Sequence, residues 1–283
     1  MRAIVLGVAA VLLVASAAAA PKPALIEPVK IDAYADEAME PFLSRDGKFL
    51  FFNTRNDPGA NTNIHFAEAN GDGFVHRGVL LGVNSYALDA VPTMAADGRF
   101  CFISPRDYHR FLVTVYCGVF DGKRVNLTEP QKTLPALERG RLIFDVELSA
   151  DGSSLIFAEG TFSGGQVPDD ADLHLATWGT RGFIRSPAGA KIFANINTDD
   201  LEFAPAISSD GLELFFTRLT GIWPFSSPKI FRATRASVDD PFGRPERIHK
   251  LEGFVEGPSL AADGTIYFHK RVSGRYQIWR TRH

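Results

Sequence analysis

The sequence predicts an all-β, five-bladed β-propeller, and three observations carry that prediction. A short phrase recurs five times: a small apolar strand, Asp-Gly, then a strand rich in Phe. Its Asp residues, Asp46, Asp97, Asp151, Asp210 and Asp263, lie 51, 54, 59 and 53 positions apart. Each period has room for two further strands, and four strands per period is a propeller blade. The last period is short, and the chain carries an unpaired strand candidate at its other end that fits the gap.

Within each blade the innermost strand, a, comes first. Pro41, Pro92, Pro205 and Pro258 stand five residues before the Asp, with Val146 in the third blade. Pro suits the first residue of a strand, where no ladder N–H is needed. Asp-Gly then makes a tight hairpin, because Gly accepts a positive φ and Asp bonds its own backbone. Strand b follows as Phe49–Phe52, Phe100–Ile103, Leu155–Phe157, Leu214–Phe216 and Ile266–Phe268. Such continuous apolar runs predict strands covered on both faces, as when sheets stack radially. Strand c is read at Asn63–Ala67, Thr114–Tyr116, Leu173–Leu175, Ile230–Arg232 and Gln277–Trp279. The first blade adds a d strand, Phe74–Leu80, after the turn Asn70-Gly71-Asp72-Gly73.

Only strands b and c fit after Asp263. The segment Leu25–Ile31 supplies the missing d strand: Pro28 and Ile31 precede Asp46 by the same 18 and 15 residues that separate Pro245 and Ile248 from Asp263. Pairing there closes the ring and removes an open sheet edge.

The phrase Pro41-Phe42-Leu43-Ser44-Arg45-Asp46-Gly47-Lys48-Phe49-Leu50-Phe51-Phe52-Asn53-Thr54-Arg55 resembles the TolB-type, WD40-like β-propeller repeat of bacterial periplasmic proteins, over essentially the whole chain after residue 19. The resemblance implies fold more than function. That family includes binding modules, propellers attached to peptidases, and occasional enzymes.

Arg2, an apolar stretch to Val14 and the small-residue tract Ala15–Ala20 read as a signal peptide over residues 1–19, leaving one propeller domain over 20–283 and a periplasmic or secreted location. No membrane span is expected after cleavage. Loss of Arg2 takes one of 30 basic side chains and leaves 33 acidic ones, a net charge of −4. That offers no field for nucleic acid. A monomer is expected. Cys101 and Cys117 face each other if strands b and c of the second blade pair symmetrically about His109; a disulfide and two buried thiols remain equal alternatives.

Polar residues just before strand a reach the mouth of the central channel. Acids recur there: Glu40, Asp89, Asp145 with Glu147, Glu202 and Glu256. Basic residues recur after strand b: Arg55, Arg106, Arg218, Lys270 and Arg271, with Glu159 in their place in the third blade. The first set offers general acid and base groups or oxygen ligands; the second offers fork-shaped donors for carboxylates. Equally, the two sets can cap turns and pair with one another. The ligand-binding candidates are Glu40, Arg55, Asp89, Arg106, Asp145, Glu202, Arg218, Glu256 and Arg271; no cofactor or metal is called for, and no catalytic residue is assigned. His65 and His174 are read as packing residues. Tyr108–Phe111 and Gly221–Phe225 fill the tips of the b–c loops in blades two and four, and Trp223 and Phe225 are candidates for stacking on a sugar or a partner.

No nucleophile elbow, zinc helix or nucleotide loop occurs. The reading favoured by sequence is a binding scaffold with a polar funnel for a small anionic or polyhydroxylated ligand or an envelope protein. The rival is a carbohydrate-active enzyme, a glycan hydrolase or lyase, using the funnel carboxylates Asp89, Asp145 and Glu202.

Overall fold

The structure, a computed structural model, describes residues 25–57, 59, 61–221 and 226–282. The proposed leader and the loop residues Trp223 and Phe225 lie outside these. Two short strands open the described chain, β1 (Leu25–Pro28) and β2 (Ile31–Asp32). Blade one is β3 (Met39–Leu43), β4 (Phe49–Asn53), β5 (Ile64–Asn70) and β6 (Gly73–Val79). Blade two is β7 (Ala90–Met94), β8 (Arg99–Ile103), β9 (Val115–Phe120) and β10 (Val125–Pro130), with the one-turn helix α1 (Tyr108–Phe111) between its middle strands. Blade three is β11 (Arg141–Leu148), β12 (Ser154–Thr161), β13 (Asp170–Gly179) and β14 (Gly182–Arg185), followed by α2 (Ala188–Ile192). Blade four is β15 (Leu201–Ile207), β16 (Glu213–Thr220), β17 (Ser227–Thr234) and β18 (Glu246–Arg247). Blade five is β19 (Val255–Leu260), β20 (Ile266–Val272) and β21 (Arg275–Arg282), completed by β1. The protein is a five-bladed propeller with four antiparallel strands per blade.

All five Asp-Gly pairs make the expected hairpin. Each Gly has φ between 70° and 88°, and each Asp Oδ1 accepts the N–H two residues on, at 2.9–3.1 Å. The b strands then lie in the middle of the sheets, which explains their unbroken apolar runs. Phe51, Phe52, Phe100, Phe102, Phe157, Phe216 and Phe268 are all fully buried. The core is five clusters, one between each pair of neighbouring blades, rather than one central mass.

The ring is closed by β1 on β21, in the register Leu25↔Arg282 to Pro28↔Trp279. The structure divides the expected strand, however. Its last residues cross to blade one, where Ile31 and Asp32 pair parallel to Phe74 and Val75 of β6. One guanidinium follows the same route: Arg280 of β21 bonds Glu27 at 2.8 Å and Asp72, in the outer turn of blade one, at 3.1 Å.

Cys101 and Cys117 are directly opposed across β8 and β9 and form a disulfide. At a sequence separation of 16, the crosslink removes about 3 kcal/mol of chain entropy from the unfolded state. Replacing both by Ala should therefore lower stability by about that amount without loss of fold, read by urea titration. An unchanged midpoint would show that the covalent link adds nothing.

Candidate active site

Each innermost strand carries a bulge, around the proline in four blades and just before Val146 in blade three. Pairing with strand b slips between Met39 and Phe42, Ala90 and Thr93, Ile143 and Asp145, Phe203 and Ala206, and Glu256 and Ser259. In four blades the residue before the proline takes a left-handed conformation: Glu40 (φ 49°), Val91 (55°), Ala204 (48°) and Gly257 (63°). For a side-chain-bearing residue this costs on the order of 1–3 kcal/mol and persists only when the surroundings enforce it. Here they do, because every one of these N–H groups is claimed by a side chain of the preceding blade. Asn53 accepts from Val91, Thr217 from Gly257, His269 Nδ1 from Glu40 and Asp145 from Ala204, at 2.9–3.2 Å. Asn53, Thr217 and His269 occupy one repeat position on strand b, opposite Met39, Phe203 and Glu256 of strand a. Blade three has Ala158 there, which cannot accept, and the Asp145 carboxylate substitutes.

The bulges turn Pro41, Pro92, Pro205 and Pro258, with Val146, into the axis and leave a cavity of only about 20 Å³. Below this constriction the channel is stoppered. Arg45, at the end of strand a in blade one, crosses the axis to Glu147 of blade three at 2.9 Å and to the carbonyls of Leu148 and Ile207. Glu147 in turn accepts from Thr93 of blade two at 2.8 Å. The funnel is blind, and only its upper mouth can receive a ligand.

Around that mouth stand Glu40, Asp145, Glu256 and His269. Asp145 is buried, and among the described residues its one hydrogen bond is from the Ala204 N–H. Burial, then the nearby charges of Glu40 and Glu256, push its carboxyl well above the usual range. Burial also raises Glu40, against the pull of His269, and Asn56 Nδ2 donates to Glu40 Oε1 at 3.0 Å. His269 is fully buried between two acids, its Nδ1 3.9 Å from Glu40 and its Nε2 3.5 Å from Glu256. Burial opposes its charging, but Glu40 and Glu256 prevail and raise its pKa. A second proton on Nδ1 nevertheless requires the Glu40 N–H to let go. Its Nε2 is buried without a hydrogen bond, a polar atom left facing the acid cluster. Gly257 is needed here: a Cβ would lie 2.7 Å from both Glu40 Oε2 and His269 Nδ1.

Two other candidate acids are committed elsewhere. Asp89, fully buried, pairs with Arg106 and accepts from Ser85. Glu202 pairs with Arg218 at 2.6 Å and accepts from Thr198 at 2.7 Å, the same construction in the opposite blade. Blade three inverts it, with Glu159 on strand b held by Arg185 at 3.1 Å. These triplets pin the loops that enter strand a. Arg55 and Arg271 remain on the rim, Arg55 reaching only Glu37, at 3.9 Å, among the described residues. Lys270 turns to the other face of its strand, over Trp279.

His65 and His174 stack on Phe52 and Phe157 within their blades. Tyr108 of α1 ties the next loop down through Arg141 and Gly140. A larger groove, about 900 Å³, opens on the lower side between blades four and five, away from these carboxylates. No group of three or more metal-ligating side chains occurs among the described residues.

His269, Asn56 and the Arg45–Glu147 stopper escaped the sequence reading. His269 was masked by a one-residue difference: it stands six residues after Asp263, whereas Asn53 and Thr217 stand seven after theirs, and only the strand pairing makes the three equivalent. The stopper had no signal, since its partners are 102 residues apart.

The sequence matches no family model and no curated protein. Solved structures share the fold at low identity. A glycoside hydrolase is 12% identical, covering 90% of this chain and 89% of its own, with a TM-score of 0.60. A putative exo-β-1,3-galactanase from Bifidobacterium bifidum is 11% identical, with coverages of 89% and 90% and a TM-score of 0.58. An endo-arabinase from Bacteroides thetaiotaomicron is 12% identical, with coverages of 91% and 97% and a TM-score of 0.54.

Proposed function

We propose that this protein is a carbohydrate-active enzyme, a glycoside hydrolase whose reaction centre is the mouth of the blind funnel. The expectation of a binding scaffold is corrected accordingly, because the structures similar to this chain carry glycoside hydrolase names. The observation that carries the proposal is the condition of Asp145. It is a buried carboxyl with a single backbone donor and two acids close by, so it keeps its proton where an exposed Asp would lose it.

Hydrolysis of a glycosidic bond needs one carboxylic acid to protonate the leaving oxygen and one carboxylate to activate water or attack the anomeric carbon. Asp145 fits the first role. Glu256, its oxygen facing His269 Nε2 on the partly open rim, fits the second. Glu40 acts on Asp145 electrostatically, its negative charge holding the proton in place.

The TolB-like phrase and the apolar leader support a periplasmic or secreted location for this chemistry. Among the described residues no helix is long and apolar enough to cross a membrane.

The test is to incubate the purified protein with plant and microbial polysaccharides, galactan and arabinan included, and to measure new reducing ends. The sign of the pH dependence is fixed. A raised acid is active while protonated, so the rate should fall as pH rises through the Asp145 pKa. Absence of turnover across the panel would overturn the proposal.

A further inference from the structure

We infer that the funnel mouth is built for an acidic glycan, with Arg55 and Arg271 gripping the carboxylate of a uronate residue one step from the scissile bond. The inference rests on the hydrolase reading and narrows its substrate class.

Two guanidiniums stand on the rim where blade five meets blade one, and neither has a tight carboxylate partner. Arg55 is exposed, with Glu37 3.9 Å away, beyond hydrogen-bond reach. Arg271 is exposed and makes no ion pair among the described residues; its guanidinium lies 5.8 Å from the Tyr276 ring, directly across the strand pair. This contrasts with Arg45, Arg106, Arg185 and Arg218, each of which is bonded to a buried acid.

Tyr276 joins the two arginines to the reaction centre. Its ring sits edge-on to His269 at 5.6 Å, and Glu256, Arg271 and Arg55 all act on its phenol, which makes no hydrogen bond to the described residues. The backbone beneath is fixed, since the Tyr276 N–H donates to Glu37 at 3.0 Å. A half-buried hydroxyl and two planar forks, none with a side-chain hydrogen bond among the described residues, therefore converge beside Glu256. A neutral sugar uses hydroxyl partners alone. A guanidinium pair gains most from a carboxylate, which accepts two parallel N–H bonds. The rim acids Glu37 and Glu256 repel a free anion, so an anionic group must seat on the arginines rather than on the acid cluster.

The experiment uses Asp145→Asn protein, so that turnover does not consume the probe, and measures calorimetric affinity for tetramers of galacturonate, glucuronate and mannuronate. Each is compared with its carboxyl-reduced, neutral counterpart. At least one uronate should bind tenfold or more tighter than its neutral twin. Arg55→Ala with Arg271→Ala should erase that ratio, and Arg271→Lys should keep part of it. Equal affinity for acidic and neutral tetramers, a ratio untouched by the arginine changes, or no binding of any uronate would overturn the inference. The outcomes separate from those of the hydrolase reading: cleavage of neutral glycans without uronate preference sinks only the clamp. Arginine-dependent uronate binding in a protein that cleaves nothing sinks only the hydrolysis.

Discussion

Asp145→Asn should reduce glycan hydrolysis on the order of 10²–10⁴-fold while leaving the thermal midpoint within a degree or two of the parent. The rate loss follows from removing a proton donor whose contribution is typically of that size. The retained stability follows from geometry, because an Asn oxygen still accepts the Ala204 N–H that Asp145 accepts at 2.9 Å. Relief of repulsion with Glu40 and Glu256 works in the same direction. Glu202→Gln is the contrasting control. It breaks charge complementarity with the buried face of Arg218 and should lower stability before it touches chemistry. If Asp145→Asn unfolds the protein instead, the residue serves the bulge and not the reaction. If activity survives, the proton comes from elsewhere.

Arg45→Ala should destabilise the protein by about 3–5 kcal/mol, the cost of stranding one partner of a buried ion pair. Arg45 and Glu147 side chains are 10% and 5% exposed, so water cannot make good the loss. The expected fall in Tm is on the order of 10 °C. Its pH dependence has a definite sign. Burial already raises the Glu147 pKa against the pull of Arg45, and without the guanidinium it rises further above its unfolded value. Such a group favours the folded state only while protonated. The deficit should therefore shrink as pH falls toward the ordinary Glu value, about 4.3, and be largest above it. Arg45→Met with Glu147→Gln removes both charges but keeps an acceptor for Thr93, and should recover most of the loss. Failure of that recovery would mean that the crossing itself, rather than the paired charge, holds the axis together.

The architecture was legible because it is periodic. Five Asp-Gly turns and five b strands repeat the same local physics, and each repetition independently supports the others. Even the ring closure could be read, since offsets of 18 and 15 residues aligned the first strand with its counterpart in blade four. The division of that strand was not, because Ile31 is as apolar as Ile26 and nothing local says which neighbour each covers. The site was half legible for a related reason. Acids ahead of strand a could be found by position, but which of them are neutralised could not. Asp89 and Glu202, each three residues before its proline, are reached by Arg106 and Arg218 of their own blades. Asp145, one residue before Val146, lies in the blade where Glu159 replaces that arginine, and its charge is not balanced by a guanidinium among the described residues. Likewise the left-handed residues at Glu40, Val91 and Ala204 run against local preference, since a residue ahead of proline avoids helical backbone angles. They are imposed from the preceding blade.

The bond between Arg280 and Glu27 joins residues 253 positions apart, and the strand pair around it is the most distant in sequence among the described residues. Contacts so remote in sequence make folding slow and late to commit. During synthesis the first blades can form hairpins, but the circle has no latch until residue 282 has left the ribosome. A nascent or interrupted polypeptide thus keeps an unsatisfied β-edge at both extremities, and only their meeting removes it.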